Sequence, residues 1–402
     1  MARSWQSAPM SWGTRYGEDV TSSIAKFHTP EIIVGRGALA EVPRTAAALG
    51  MRRLMIVSDR TIEQTPWYDE LVDQLTRAGL QAVSYLDVSP NPRAQEISAA
   101  HERYHDGGCD GIAALGGGSV IDAAKGVAIV AANGGHILQY EGIDRAVSPL
   151  PPLVAAPTTA GSGADVSQFC IVSDVKRRTK VTIIGRSLVP DVSVIDPRVL
   201  ATVTPQVTAQ CGMDVITHCI EAYASVAHNR LTDSHALQSI STVWSALERL
   251  VDDPSNVTAG DDMAFASMEA GMAFTNAILG AAHAMSHPVG GLCDAPHGAI
   301  NAVVLPHVIR FNAETDADPY LDLAAAIGIS PASTGRGTAD LLAAEVAAMA
   351  RRVNLPDSLV SLGVRLDDVE LLARHALADA CMTTNPRQPT LVQVENLYRA
   401  AL

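Results

Sequence analysis

"CDGIAALGGGSVIDAAKGVAIVAA" (109–132) decides the fold class. An apolar run, "GIAAL", leads into three glycines and a serine. A long stretch of small apolar residues at helical spacing follows. A strand that turns on glycine straight into a helix is half of a βαβ unit, so its neighbours should repeat the pattern.

They do. "RRLMIVSD" (52–59), "QAVSYLDV" (81–88), "PPLVAAP" (151–157) and "DVSVIDP" (191–197) read as further buried strands separated by helical patterns. Strand–helix alternation implies a mostly parallel sheet with helices on both faces, a Rossmann-like, dinucleotide-binding layout. After about Pro205 the period changes. "TAQCGMDVITHCIEAYAS", "HALQSISTVWSALERLV", "DMAFASMEAGMAFTNAILGAAHAMSH" and "TADLLAAEVAAMARRV" carry apolar residues three and four apart, and convincing strands are absent. The expected organisation is an N-terminal extension (1–26), an α/β domain (27–204) and an all-α domain (205–402), packed directly with a cleft between them.

Bulk composition narrows the function. The chain has 402 residues, 48% of them hydrophobic and 18% charged, as expected of a soluble globular protein with two domains. A net charge of −14 disfavours nucleic acid and anionic membranes as partners. Cys109, Cys170, Cys211, Cys219, Cys293 and Cys381 form no C-x-x-C pair, which fits a reducing cytoplasm better than a disulfide framework. The N-terminus lacks the apolar core of a signal peptide, and no stretch approaches the roughly 18 uninterrupted apolar residues of a membrane helix.

Three loops at strand ends gather nucleotide-binding features. Gly117, Gly118 and Ser119 let backbone amides approach a phosphate, and the helix that follows adds partial positive charge. The turn departs from G-x-G-x-x-G, because Ile121 takes the place of the third glycine. Asp59, at the end of "VSD", could accept from ribose hydroxyls and favour NAD over NADP, or simply cap the helix that follows. Thr158, Thr159 and Ser162 supply hydroxyls beside glycine.

A second group lies further along. "HAMSHPVGGLCDAPHG" (283–298) holds three of the chain's 12 histidines, and its Pro and Gly residues mean that it cannot be one regular helix. "CGMDVITHCIEAY" sets Asp214 and His218 four apart on one helix face. One Asp and three His form a nitrogen/oxygen set suited to Fe(II), Zn, Co, Ni or Mn. It is not a zincin helix, because Ala284 follows His283.

On "GGGSVIDAAK", "PTTAGSGADVS", "GMDVITHCIEAYAS", "GMAFTNAILGAAHAMSHPVGG", "APHGAINAVVLPHV" and "TNPRQPT", the chain resembles the iron-containing (group III) alcohol dehydrogenases from about Phe27 to Leu402. "NGGHILQYEGIDR" is similar to the ErcA-like subgroup. The resemblance implies the fold shared with dehydroquinate synthase, with Fe(2+) or another divalent ion held by Asp214, His218, His283 and His297. It makes His287 a catalytic residue beside the ion, outside its ligand set. NAD is implied at Asp59, Asn91, Gly117, Gly118, Ser119, Thr158, Thr159, Ser162 and Lys180, and a substrate pocket at Phe169, Phe274 and Cys381. Homo-oligomers are common in the family. Two positions depart from it: "GSGAD" stands for the usual GTGSE, and Cys211 for the usual Thr. The implied activity is hydride transfer between a primary alcohol or diol and NAD. A dehydrogenase with tightly bound cofactor and an external acceptor, a dehydroquinate synthase-like lyase and a non-catalytic regulator are the competing readings.

Overall fold

The computed structural model describes residues 26–402, so the extension lies almost wholly outside the described residues. Nine strands occur among them: β1 (Glu31–Val34), β2 (Arg53–Val57), β3 (Gln81–Tyr85), β4 (Gly111–Gly116), β5 (Gly142–Ile143), β6 (Leu153–Pro157), β7 (Phe169–Asp174), β8 (Thr179–Ile184) and β9 (Val192–Ile195). Six form one sheet in the order β1-β9-β6-β4-β2-β3, parallel throughout. The remaining three form a smaller sheet, β5-β8-β7. Every strand read from the sequence is present. The missed ones are β1 and the small sheet, whose strands are short or alternate between buried and half-buried residues.

Chain order explains where a ligand can sit. From β2 the chain moves outward to β3, then returns to β4 on the other side of β2 and continues to β6 and β9. The carboxyl ends of β2 and β4 therefore flank a topological switch point, where their loops diverge and leave a crevice. The helix Gly118–Asn133 starts there and buries nearly its whole length. Its Lys125 is fully buried, and the ammonium donates to the carbonyls of Ser167 (2.7 Å) and Phe169 (2.8 Å). This bond ties the helix to the loop that leads into β7.

No strand follows β9 among the described residues. Helices Pro205–Ala224, Arg230–Asp252 and Val257–Ala277 pack together, and Ala281–Cys293 and His297–Ala313 pack alongside. The stretch from Asp262 to His287, helical in spacing throughout, forms parts of two helices, broken at Ile278, whose φ is 62°. In "HAMSHPVGGLCDAPHG" the break falls later than its Pro288 and paired glycines suggest. The helix continues through Pro288 to Cys293 and stops at Asp294, in the left-handed region (φ 53°). Gly290 and Gly291 serve close packing instead of a turn: a Cβ on Gly291 would stand 2.8 Å from the Thr179 Cα of β8.

The helical part closes onto the sheet directly. Gln168 bonds Thr275 through its backbone N–H to the hydroxyl (2.9 Å) and its side-chain amide to the carbonyl (2.6 Å). Asn91 Nδ2 donates to Asp294 at 2.8 Å across the cleft. No described helix is long and apolar enough to cross a membrane.

Candidate metal centre and cofactor cleft

The helix Pro205–Ala224 carries Asp214 and His218 on one buried face. His283 and His287 sit on the helix Ala281–Cys293, and His297 opens the next one. Asp214 Oδ1 is the hub. It lies 3.6 Å from His283 Nε2, 3.7 Å from His297 Nε2 and 3.8 Å from His218 Nε2. Ligands about 2.1 Å from a tetrahedral ion are about 3.4 Å apart, so these edges need little adjustment. The ligand atoms of Asp214, His283 and His297 lie within 4.8 Å of one another, and His218 joins through Asp214. The His218 ring stacks on His283 (4.8 Å) and on Phe274 (4.3 Å).

The electrostatics match a cation. Burial pushes His218 down to about 4 and His297 well below the ordinary imidazole value, so both are neutral donors at pH 7. Burial alone would also lower His283, but Glu221 and Asp214 outweigh it and raise it to about 9. Although burial opposes its charge, Asp214 is held far below the usual carboxylate range by His218, His297 and His283.

Sequence reasoning missed two residues that shape this cluster. Asn301 Nδ2 donates to Asp214 Oδ1 at 2.7 Å and lies 3.3 Å from His283 Nε2 and 3.2 Å from His297 Nε2. An amide N–H thus directs positive charge into the space that the ligand atoms surround, where a cation suits them better still. Glu221 accepts from His283 Nδ1 at 2.5 Å and from the Ala282 N–H at 2.6 Å. One carboxylate orients the imidazole and caps a helix whose N-cap, Gly280, has no side chain to do so. Spacing held the signal for both: Asn301 is four residues after His297, and Glu221 is three after His218.

His287 stands apart. Its Nδ1 pairs with Asp379 Oδ2 at 2.8 Å, and its ring stacks on His297 with centroids 5.4 Å apart. His287, Asp379 and Cys381 are close enough to resemble a second ligand set. The direct His287–Asp379 bond closes that space, and burial pushes the Cys381 thiol well above its ordinary value, away from the thiolate a metal needs. Cys381 is buried as a neutral thiol. Phe169 and Phe274 pack 5.9 Å apart and complete an apolar side beside His218.

The residues expected at the nucleotide line up along neighbouring strands. Thr158, Thr159 and Ser162 follow β6, Gly117, Gly118 and Ser119 follow β4, and Asp59 follows β2. The two inner loops interlock: a Cβ on Gly118 would stand 2.5 Å from Ser162 Oγ, and one on Gly117 3.3 Å from Thr159 Oγ1. Close approach favours glycine at 118, whereas at 117 the fit is only tight. Asp59 does cap the next helix, its Oδ1 accepting from Thr61 N (2.8 Å) and Ile62 N (2.9 Å), while Oδ2 makes no such bond. Capping and ribose binding are compatible. The Asn91 backbone N–H donates to Ser119 Oγ at 3.2 Å, but its side-chain amide turns away to Asp294. Lys180, on β8, packs its side-chain end against Gly290; burial lowers its pKa, and the charges of Asp122, Asp214 and Asp294 only partly offset this. Of the departures, Cys211 packs on the loop that follows β6, since a Cβ on Gly161 would meet its Cβ at 2.7 Å.

A helical layer that presents a nitrogen/oxygen metal cluster to the switch point of a parallel sheet defines a nucleotide-dependent metalloenzyme. The family models for iron-containing alcohol dehydrogenase and for the Fe-containing alcohol dehydrogenase family, C-terminal, match residues 29–197 and 208–402. The chain belongs to the iron-containing alcohol dehydrogenase family, a family of oxidoreductases on alcohols that use NAD and a divalent metal. It is 37% identical to alcohol dehydrogenase 4 of Schizosaccharomyces pombe, covering 94% of this chain and 89% of that protein. It is 31% identical to the NAD-dependent methanol dehydrogenase of Bacillus methanolicus, over 94% and 99%. A crystal structure of 1,3-propanediol oxidoreductase superposes with a TM-score of 0.91 at 33% identity, covering 94% of this chain and all of that one.

Proposed function

We propose that the chain oxidises a primary alcohol or diol with NAD, and reduces the matching aldehyde in reverse, in the cleft between sheet and helices. The convergence of three imidazole nitrogens on Asp214 Oδ1 beside the strand ends carries this reading. Asp214, His218, His283 and His297 hold the ion. An ion held there would supply stabilisation of negative charge on the alcohol oxygen, and a bound nicotinamide would supply the hydride acceptor. The remaining chemistry belongs to the chain. Gly117, Gly118 and Ser119, with Thr158, Thr159 and Ser162, hold the cofactor phosphates, with Asn91 and Lys180 alongside. Asp59 takes the ribose and disfavours a 2′-phosphate. His287 accepts the alcohol proton at Nε2 and passes it to water. Phe169, Phe274 and Cys381 wall off solvent and favour an unbranched, uncharged substrate.

The relatives named for methanol and 1,3-propanediol support small primary alcohols and diols. We place the domain boundary at 204/205, between the spans of the two family models. We also read the enzyme as a cytoplasmic homo-oligomer, and the six free cysteines support the reducing compartment. The test is metal content of anaerobically purified protein together with NADH formation on a panel of primary alcohols and diols. One ion per chain, lost with turnover in Asp214→Ala, is the expected result. Metal without NAD-linked turnover overturns the proposed reaction, and no metal under any preparation overturns the site.

A further inference from the structure

Asp379 lies 92 residues from His287 in sequence, yet its carboxylate is fully committed in the fold. Oδ2 faces His287 Nδ1 at 2.8 Å, and Oδ1 accepts from the Cys381 N–H at 2.8 Å. No described side chain bonds His287 Nε2. Burial alone would raise the Asp379 carboxyl, but His287 and the Cys381 N–H hold it below its ordinary value, so the group facing Nδ1 is an acceptor. In the neutral ring an acceptor there keeps the imidazole proton on Nδ1 and leaves the lone pair on Nε2.

We propose that Asp379 is the positioning residue of the proton relay, fixing the His287 ring and its tautomer through the Nδ1–H···Oδ2 bond. The inference rests on His287 being the relay, as proposed above. In the forward direction the alcohol O–H bond breaks, its proton joins His287 Nε2, and the hydride leaves carbon for the nicotinamide. The imidazolium then returns one proton to water. Asp379 stays a carboxylate throughout and steadies the cation while it exists.

The competing role is structural, because Asp379 is also the N-cap of the short helix Ala380–Thr384. Substitution separates the two. Asparagine caps as well as aspartate. In Asp379→Asn the Cys381 N–H still needs an oxygen, so the amide nitrogen must face His287. Nδ1 becomes an acceptor, the proton moves to Nε2, and the cleft receives a donor where it needs a base.

The experiment compares metal-loaded wild type, Asp379→Asn, His287→Ala and the double variant by metal content, melting temperature, KM for NAD and kcat. Asp379→Asn is expected to keep its metal, its melting temperature and its KM, and to lose on the order of 10²- to 10⁴-fold in kcat. The double variant is expected to match His287→Ala, because two residues acting through one step do not add. Asp379→Asn within threefold of wild type, while His287→Ala is slow, overturns the inference; so does an additive loss in the double variant. Unchanged turnover in His287→Ala overturns the relay reading itself, and Asp379 then has nothing to position.

Discussion

Asp214 accepts from Asn301 and faces three imidazoles, so each neighbour can be tested against metal affinity. Glu221→Gln keeps the shape of the helix cap but weakens the hold on His283 Nδ1; metal affinity should fall about 10- to 100-fold, read by competition with a chelator. Protons compete with the ion at His283. Without metal this residue is raised to about 9 and is protonated at neutral pH, so affinity should rise about tenfold per pH unit up to about pH 9. Calorimetry in buffers of different ionisation enthalpy should show one proton released per ion at pH 7. A flat profile would mean that His283 is not a ligand. Asp59→Gly should raise kcat/KM for NADP relative to NAD at least tenfold, since one oxygen of Asp59 is free of its capping bonds. Asp214 and the histidines are evident in the sequence because ligand types repeat at helical spacing, a spacing that Glu221 and Asn301 share, and Asp59 is evident from its place at a strand end. Asp379 is not evident, since no period relates positions 287 and 379.

Elements meet where glycine permits it. The helix that His297 begins passes so close to Pro205–Ala224 that a Cβ on Gly298 would overlap the Gln210 carbonyl oxygen. Gly298→Ala must push the two metal-bearing helices apart. It should cost roughly 1–3 kcal/mol in denaturant unfolding and weaken metal retention. Gly118→Ala acts on the other side of the cleft, where it crowds the Ser162 hydroxyl, and should raise KM for NAD while leaving metal content unchanged. At this scale the alternation of strand and helix was legible throughout β2, β3, β4, β6 and β9. The small sheet was not, because its strands pair with each other instead of extending the main sheet, and their burial pattern is interrupted.

The two halves are joined by a shared apolar core, in which Phe169, Ile184 and Ile195 cluster with Met213, Val215 and Ile216, and by polar bonds such as Asn91–Asp294, Gln168–Thr275 and Arg36–Asp261, whereas the proposed metal ligands all lie on the helices. Metal that binds only the folded state stabilises it by about 4 kcal/mol at a thousandfold excess over Kd. Loading should therefore raise the melting temperature by roughly 5 °C, and the rise should vanish in Asp214→Ala. The sequence by itself determined the parallel α/β layer, the helical second half, the ligand types and the glycine turns, because local period and residue chemistry encode these. Tertiary structure alone decided the rest. It set Asp214 at the centre of three histidines, and it joined Glu221 to the start of a helix 61 residues on. It also paired Asp379 with His287, because side chains remote in sequence meet only once helices have packed.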